Sequence, residues 1–242
     1  MTVPQVIAHR GSSAANPDNS WAAFESALAD GADVIECDVQ STRDGVLVIR
    51  HDLMLWDRLV CDLSVAQIKA AEPGTILFGD FLDWAQQVPI GLLVEMKDPD
   101  TAQAVSGMVA ASPARERIIV GGFHGPALAL VKAVQPLVRT SFMVGSVMAA
   151  DELVRAAVAY RVDDIHLCWE TRTPRPHRLL DPPLIEHLRR NGLAITLWHE
   201  EREAELRALV ALEPDAICTN TPAVLRRIVD SHRACRAVAI ET

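Results

Sequence analysis

Residues 5–52 read QVIAHRGSSAANPDNSWAAFESALADGADVIECDVQSTRDGVLVIRHD. Gln5–Arg10 is a short apolar run that ends at a glycine. Trp21–Ala29 places Trp21, Phe24 and Leu28 at helical spacing and stops before Gly31. Val34–Gln40 is a second strand. Asp44-Gly45 is a tight-turn dipeptide leading into Val46–Arg50, so this part reads as a hairpin-like excursion with His51 at its far end. Strand, helix and strand thus follow in order, and the polar residues gather where the strands end.

The same alternation fills the rest of the chain. Gly91–Lys97, Arg117–Phe123, Val138–Val144, Asp164–Trp169, Ala194–Trp198 and Asp215–Thr219 read as strands. Helical spacing occupies Thr101–Ala111, Pro126–Val134, Asp151–Tyr160, Pro183–Asn191, Arg202–Leu212 and Ala223–Ala234. Leu63–Ala71 and Asp80–Gln87 read as short helices within an insertion after the second strand. With the 46–50 excursion set aside, eight strands each precede a helix. Such alternation implies a parallel sheet, and eight units in 242 residues imply a closed barrel. An open doubly wound sheet is the alternative. It usually carries a glycine-rich first turn such as GxGxxG, where this chain has HRGSS. The expectation is an α/β fold, a (β/α)8 TIM barrel with a short insertion after the second strand, as one domain over residues 1–242.

Half of the residues are hydrophobic, which provides for a large core. The formal net charge of -9 is spread along the chain, so no basic surface invites nucleic acid or an anionic membrane. No apolar run approaches the ~20 residues of a membrane span. The start, MTVPQVIAHR, lacks a basic segment followed by a long apolar one. The five cysteines are odd in number and form no CxxC pair, which argues against a disulfide framework or a zinc knuckle. Cys37, Cys168 and Cys218 fall in strand-like runs and suit a reducing compartment. A cytoplasmic protein with a small-molecule partner, no nucleic acid and no stable membrane anchor is expected; the oligomeric state is left open.

In such barrels the active site lies at the C-terminal ends of the strands. His9 and Arg10 end the first strand, Glu36 and Asp38 lie near the end of the second, and Glu95 and Lys97 end the third. Residues i and i+2 of a strand share a side, so Glu36 pairs with Asp38 and Glu95 with Lys97, while Cys37 and Met96 face away. Three carboxylates at one barrel mouth repel one another, and a hard divalent cation, Mg2+ or Ca2+, resolves that conflict better than zinc. The plain alternative is that the acids pair with Lys97, Arg10 or Arg43. His9 and His51 are the candidates for proton transfer. Arg10 and Lys97 suit phosphate, one through a two-pronged contact and the other as a point charge. Trp198 either stacks on an alcohol group or packs the rim. His124 either lines the mouth or is solvated, and His166 is expected to point inward near Trp169. His177, His187 and His232 read as surface residues, and Trp56 and Phe78 as an apolar wall of the insertion.

The run that opens this section resembles the glycerophosphodiester phosphodiesterase family, whose pattern is HRG, P-E-N-T, E-x-D, D-G and H-D, then an E-x-K strand. The match continues in LVEMK at 93–97 and DAICTNTP at 215–222. The resemblance implies a barrel phosphodiesterase that hydrolyses glycerophosphodiesters to an alcohol and glycerol 3-phosphate. It implies that Glu36, Asp38 and Glu95 hold the cation, that His9 and His51 act as acid and base, and that Arg10 and Lys97 contact phosphate. Which histidine takes which part, and whether water or a neighbouring substrate hydroxyl attacks, stay open. The chain departs from the pattern at three places. P-E-N-T is Pro17-Asp18-Asn19-Ser20, where Asn19 suits a loop-tightening role and Ser20 a helix cap. The segment from His51 to Glu95 is short, with DLMLWDRLVCDLS after His51. W-T-V-N is Trp198-His199-Glu200-Glu201. A lysophospholipid-type substrate is the alternative. A non-catalytic phosphate-binding barrel would be expected to lack one of the acids or histidines, and none is missing.

Overall fold

Strands that are apolar on both faces need cover on both sides. In the computed structural model, which describes residues 3–240, eight parallel strands provide it by closing into a barrel ringed by helices. The strands in chain order are β1 (Gln5–Ala8), β2 (Val34–Ser41), β3 (Leu47–Ile49), β4 (Met54–Leu55), β5 (Arg58–Leu59), β6 (Gly91–Met96), β7 (Ile118–Gly122), β8 (Arg139–Val144), β9 (Asp164–Leu167), β10 (Ala194–Leu197) and β11 (Ala216–Thr219). The helices are α1 (Trp21–Ala29), α2 (Val65–Ala71), α3 (Phe78–Gln86), α4 (Ala102–Ala111), α5 (Gly125–Val134), α6 (Ala150–Tyr160), α7 (Pro182–Arg190), α8 (Glu203–Ala211) and α9 (Pro222–Ile240). The barrel closes where β1 pairs with β11 on one side and with β2 on the other. This is the expected (β/α)8 TIM barrel, and closure excludes the open sheet.

β3 folds back antiparallel on β2, with Val39 opposite Ile49, which is the expected hairpin-like excursion. The insertion after it holds a second hairpin, β4–β5, that sequence patterning does not show. Its strands are two residues each, and its turn carries Trp56 at a φ of 56° instead of a glycine signal. Trp56 stands 76% exposed at the tip, whereas Phe78 is fully buried at the start of α3. The expected apolar wall therefore keeps Trp56 and loses Phe78 to the core. Among the described residues, no helix is long and apolar enough to cross a membrane.

Alternation along the strands divides the core in two. Outward residues such as Val6, Ile35, Cys37 and Val94 pack with Phe24, Phe81, Leu128 and Leu153 of the helical layer. Phe24 and Phe81 approach to 4.5 Å between ring centres and lock α1 against α3. Ser20 caps α1, accepting the Ala23 N–H at 3.2 Å, as the sequence suggests. Inward residues form a separate cluster of Ile7, Val34, Leu93, Met143, Cys168, Ala216 and Cys218. His166 points inward as expected. Trp169 does not accompany it; its ring sits in the outer core and its Nε1 donates to the Ser146 carbonyl at 3.0 Å.

Polar residues also enter the barrel. Asp164 accepts hydrogen bonds from Ser141 Oγ and, at 2.9 Å, from Thr196 Oγ1. Burial raises its carboxyl from 3.8 to about 7, against the pull of both hydroxyls. Burial alone takes His166 down from 6.5 to about 3. Asp164 therefore keeps its proton in the fold to near pH 7 but loses it near 3.8 when unfolded. Its stabilising contribution is complete below 3.8 and is lost as pH rises through 7. His166 runs the other way, contributing fully above 6.5 and losing that contribution as pH falls toward 3. Asp164→Asn keeps both hydroxyl contacts without a titrating proton. Its Tm should gain on the parent's as pH rises from about 4 to 7 and hold that gain above 7. Thermal melts across this range check it, and a Tm difference independent of pH would contradict the assignment.

Candidate active site

The end of β1 begins the site. His9 continues the strand's bonding, its N–H donating to the Thr219 carbonyl at 2.9 Å. The chain then turns sharply, with φ of 55° at Arg10 and 83° at Gly11. Glycine is required at position 11, because a Cβ there would stand 2.5 Å from the Ala23 carbonyl carbon. Arg10 has no such freedom and pays strain in the left-handed region. Two bonds hold it: its N–H donates to Glu36 Oε2 at 2.9 Å, and its carbonyl accepts the Asn19 N–H at 3.0 Å.

Glu36 and Asp38 project inward from β2, and β6 sets Glu95 opposite Asp38 in register. Oxygens from the three side chains lie within 4.8 Å of one another, and all three residues are buried. Burial, then the neighbouring carboxylates, push Glu36 well above the usual carboxylate range; burial and Asp38 raise Glu95. Cations partly relieve the repulsion. Arg10 Nε lies 3.1 Å from Asp38 Oδ2, and Lys97 Nζ lies 2.8 Å from Glu95 Oε1 and 3.6 Å from Asp38 Oδ1. Burial acts to lower the Lys97 ammonium, but Glu95 and Asp38 outweigh it and hold it above its ordinary value. The plain pairing expected for Arg10 and Lys97 is thus present; among the described residues Arg43 takes no part. Asn19 does more than tighten its loop, since its Nδ2 donates to Asp38 Oδ2 at 2.8 Å.

Glu36 Oε1 and Asp38 Oδ1 are buried and accept no hydrogen bond among the described residues. Buried carboxylate oxygens left open in an all-oxygen cluster fit a hard divalent cation such as Mg2+ or Ca2+.

The two expected imidazoles flank this cluster. His9 is buried; its Nδ1 donates to Asn220 Oδ1 at 2.7 Å, and its Nε2 has no partner among the described residues. Burial, then Arg10 and His199, hold it well below 6.5, against the Asn220 bond. His51 follows β3, part-exposed, with Nδ1 2.9 Å from Asp52 Oδ1. Its backbone is fixed by Gln40, whose Nε2 donates to the carbonyls of Arg50 at 2.9 Å and Asp52 at 2.8 Å. His51 lies near enough to both His9 and Glu95 to act on them electrostatically. Trp198 meets His9 edge-on at 5.3 Å. His124 is exposed at the start of α5. His177, His187 and His232 pair with Glu205, Asp151 and Glu213 among the helices.

Asn220, Gln40 and His199 are the site residues that sequence reasoning does not single out. Asn220 was within reach, since it lies two residues past inward-facing Cys218, the same parity that links Glu36 to Asp38. Gln40 and His199 act only through tertiary contacts.

The sequence model of the glycerophosphoryl diester phosphodiesterase family matches residues 9–224. The chain belongs to this family. It is similar to a glycerophosphodiester phosphodiesterase of Caldanaerobacter subterraneus, 28% identical over 93% of this chain and 97% of that protein. A probable glycerophosphodiester phosphodiesterase 1 of Mycobacterium tuberculosis is 34% identical over 57% of this chain, and the match spans 63% of that relative's length. An Oleispira antarctica phosphodiesterase, solved with the product sn-glycerol-3-phosphate, shares the fold with a TM-score of 0.81 and 22% identity, covering 94% of this chain and 97% of that one.

A cation that binds the folded cluster stabilises it, by about 2.7 kcal/mol at one hundred times Kd. Mg2+ or Ca2+ should therefore raise the Tm of the parent, and Glu95→Gln should abolish most of the rise. An equal rise in parent and variant would place the ion elsewhere.

Proposed function

We propose that the chain, acting as one barrel domain, hydrolyses glycerophosphodiesters to an alcohol and glycerol 3-phosphate, with His9 and His51 moving the protons. The observation that carries this reading is the convergence of both imidazoles, two cations and three buried carboxylates on one barrel mouth. Arg10 and Lys97 hold the phosphate, the guanidinium through two N–H groups and the ammonium as a point charge. Glu36, Asp38 and Glu95 hold a divalent cation, which when bound supplies stabilisation of charge developing on phosphoryl oxygen.

The environments divide the proton work. His9 is kept neutral by burial and by Arg10, its proton sits on Nδ1 facing Asn220, and its free Nε2 takes the proton of the attacking oxygen. His51, in contact with the Asp52 carboxylate, gives a proton to the departing alkoxide. Trp198, at the edge of His9, offers a face for the glycerol.

A second reading is favoured by one feature. Leu53, Met54 and Trp56 expose apolar surface beside His51 and Lys97, along an open cleft of about 700 Å³. Such a rim suits the acyl chain of a lysophospholipid.

His9→Ala and His51→Ala should each cut release of glycerol 3-phosphate from glycerophosphocholine by about 100-fold or more, with unchanged Tm. Full activity in either folded variant would overturn the role of that residue. Trp56→Ala separates the two substrate readings: a raised KM for lysophosphatidylcholine with glycerophosphocholine unaffected favours the acyl-chain reading, and no change in either favours the small diester.

A further inference from the structure

We propose that His199 and Glu201, on the loop after β10, form a positioning pair that grips the imidazole of His9 and fixes the direction of its Nε2. This rests on the proton-transfer role proposed for His9. The His199 ring lies against the His9 ring, with centroids 4.7 Å apart and planes inclined by 34°. Trp198 closes another side, edge-on at 76°. Asn220 Oδ1 accepts a hydrogen bond from the Nδ1–H, and Ser13 Oγ lies 2.7 Å from the same oxygen. Three residues therefore surround the ring and leave Nε2 without a partner among the described residues.

Glu201 joins two of these contacts. Its Oε1 lies 3.7 Å from His199 Nε2 and accepts the backbone N–H of Asn220 at 3.2 Å. One carboxylate thus connects the ring that packs on His9 to the residue that binds its Nδ1. The loop is built to hold this arrangement. Glu200 is buried, and its Oε1 accepts the backbone N–H groups of Glu201 at 3.0 Å and Arg202 at 2.8 Å and the Arg202 Nε–H at 2.9 Å. The Glu200 N–H donates to the Cys218 carbonyl at 3.3 Å. Locked supporting groups of this kind are what hold a reacting side chain in a productive geometry.

The pair also acts through charge. Arg10 and His199 beside the ring act against a proton on His9. Among the described residues, the charged or titratable groups facing His9 are Arg10 beside it, His51 after β3, and His199, backed by Glu201, after β10; Asn220 and Trp198 are neutral. Of these groups, His199 and Glu201 take no part in the carboxylate cluster or in the proposed proton transfer. Where the family pattern reads W-T-V-N, this chain places an imidazole and a carboxylate, so the pair belongs to this chain's version of the site.

The test measures kcat, KM and the pH profile on glycerophosphocholine for His199→Ala, His199→Phe, Glu201→Ala and His9→Ala, together with the NMR titration of the His9 imidazole. His199→Ala should lower kcat about tenfold or more with KM within about twofold, as expected for misorientation of a reacting group. Glu201→Ala should change kcat in the same direction. His199→Phe restores a flat ring without charge, so it should recover most of kcat while moving the His9 titration to higher pH. Folded His199 variants with the parent's kcat and an unmoved His9 titration would overturn the pair. Parental activity in His9→Ala would overturn instead the proton-transfer role on which the pair depends. The NMR titration, read without substrate, tells the two failures apart.

Discussion

Three carboxylates drawn out of water within 4.8 Å of one another set the terms for the residues around them. Left alone, such a cluster would take up protons or destabilise the fold. The chain meets this with the Arg10 and Lys97 side chains, the Asn19 amide and the Arg10 backbone N–H. These contacts explain features that are otherwise costly. The left-handed backbone of Arg10 is tolerated because its N–H must reach Glu36, and Gly11 beside it lets the turn lie on α1. The oxygens that accept no hydrogen bond among the described residues, Glu36 Oε1 and Asp38 Oδ1, are the places where a cation completes the balance.

The barrel is what brings these groups together. Parallel strands put His9, Asp38, Glu95 and Asn220 at one end, although they come from segments far apart in the chain. Inward and outward faces then separate the roles of adjacent residues: Cys37 packs in the outer core while Glu36 and Asp38 on either side of it face the mouth. The inner core is not uniformly apolar. Asp164 and His166, successive inward residues of β9, are buried as neutral groups whose pH dependences oppose each other. The order of burial and charge at the mouth also separates the two imidazoles, one enclosed and neutral, the other part-exposed beside a carboxylate.

Much of this was legible in the sequence, for a physical reason. Strand and helix periods are local, so α1 is read to the residue and the eight strands to within one or two. Parity along a strand is local too, and it pairs Glu36 with Asp38 and Glu95 with Lys97 from the sequence alone. What escaped depends on long-range packing or on segments too short to show a period. The β4–β5 hairpin has two-residue strands, and the burial of Phe78 follows from how α3 docks. Gln40 matters only because the excursion returns past it, and His199 only because β10 lies beside β11 and β11 beside β1.

The most direct measurement is the anomalous diffraction of crystals of this chain soaked in Mn2+. One ion should appear with an oxygen of each of Glu36, Asp38 and Glu95 within about 2.6 Å, the range of hard-cation contacts to oxygen. The ion bound elsewhere, or no ion with Lys97 still seated on Glu95, would contradict the reading of the carboxylate cluster as a metal centre.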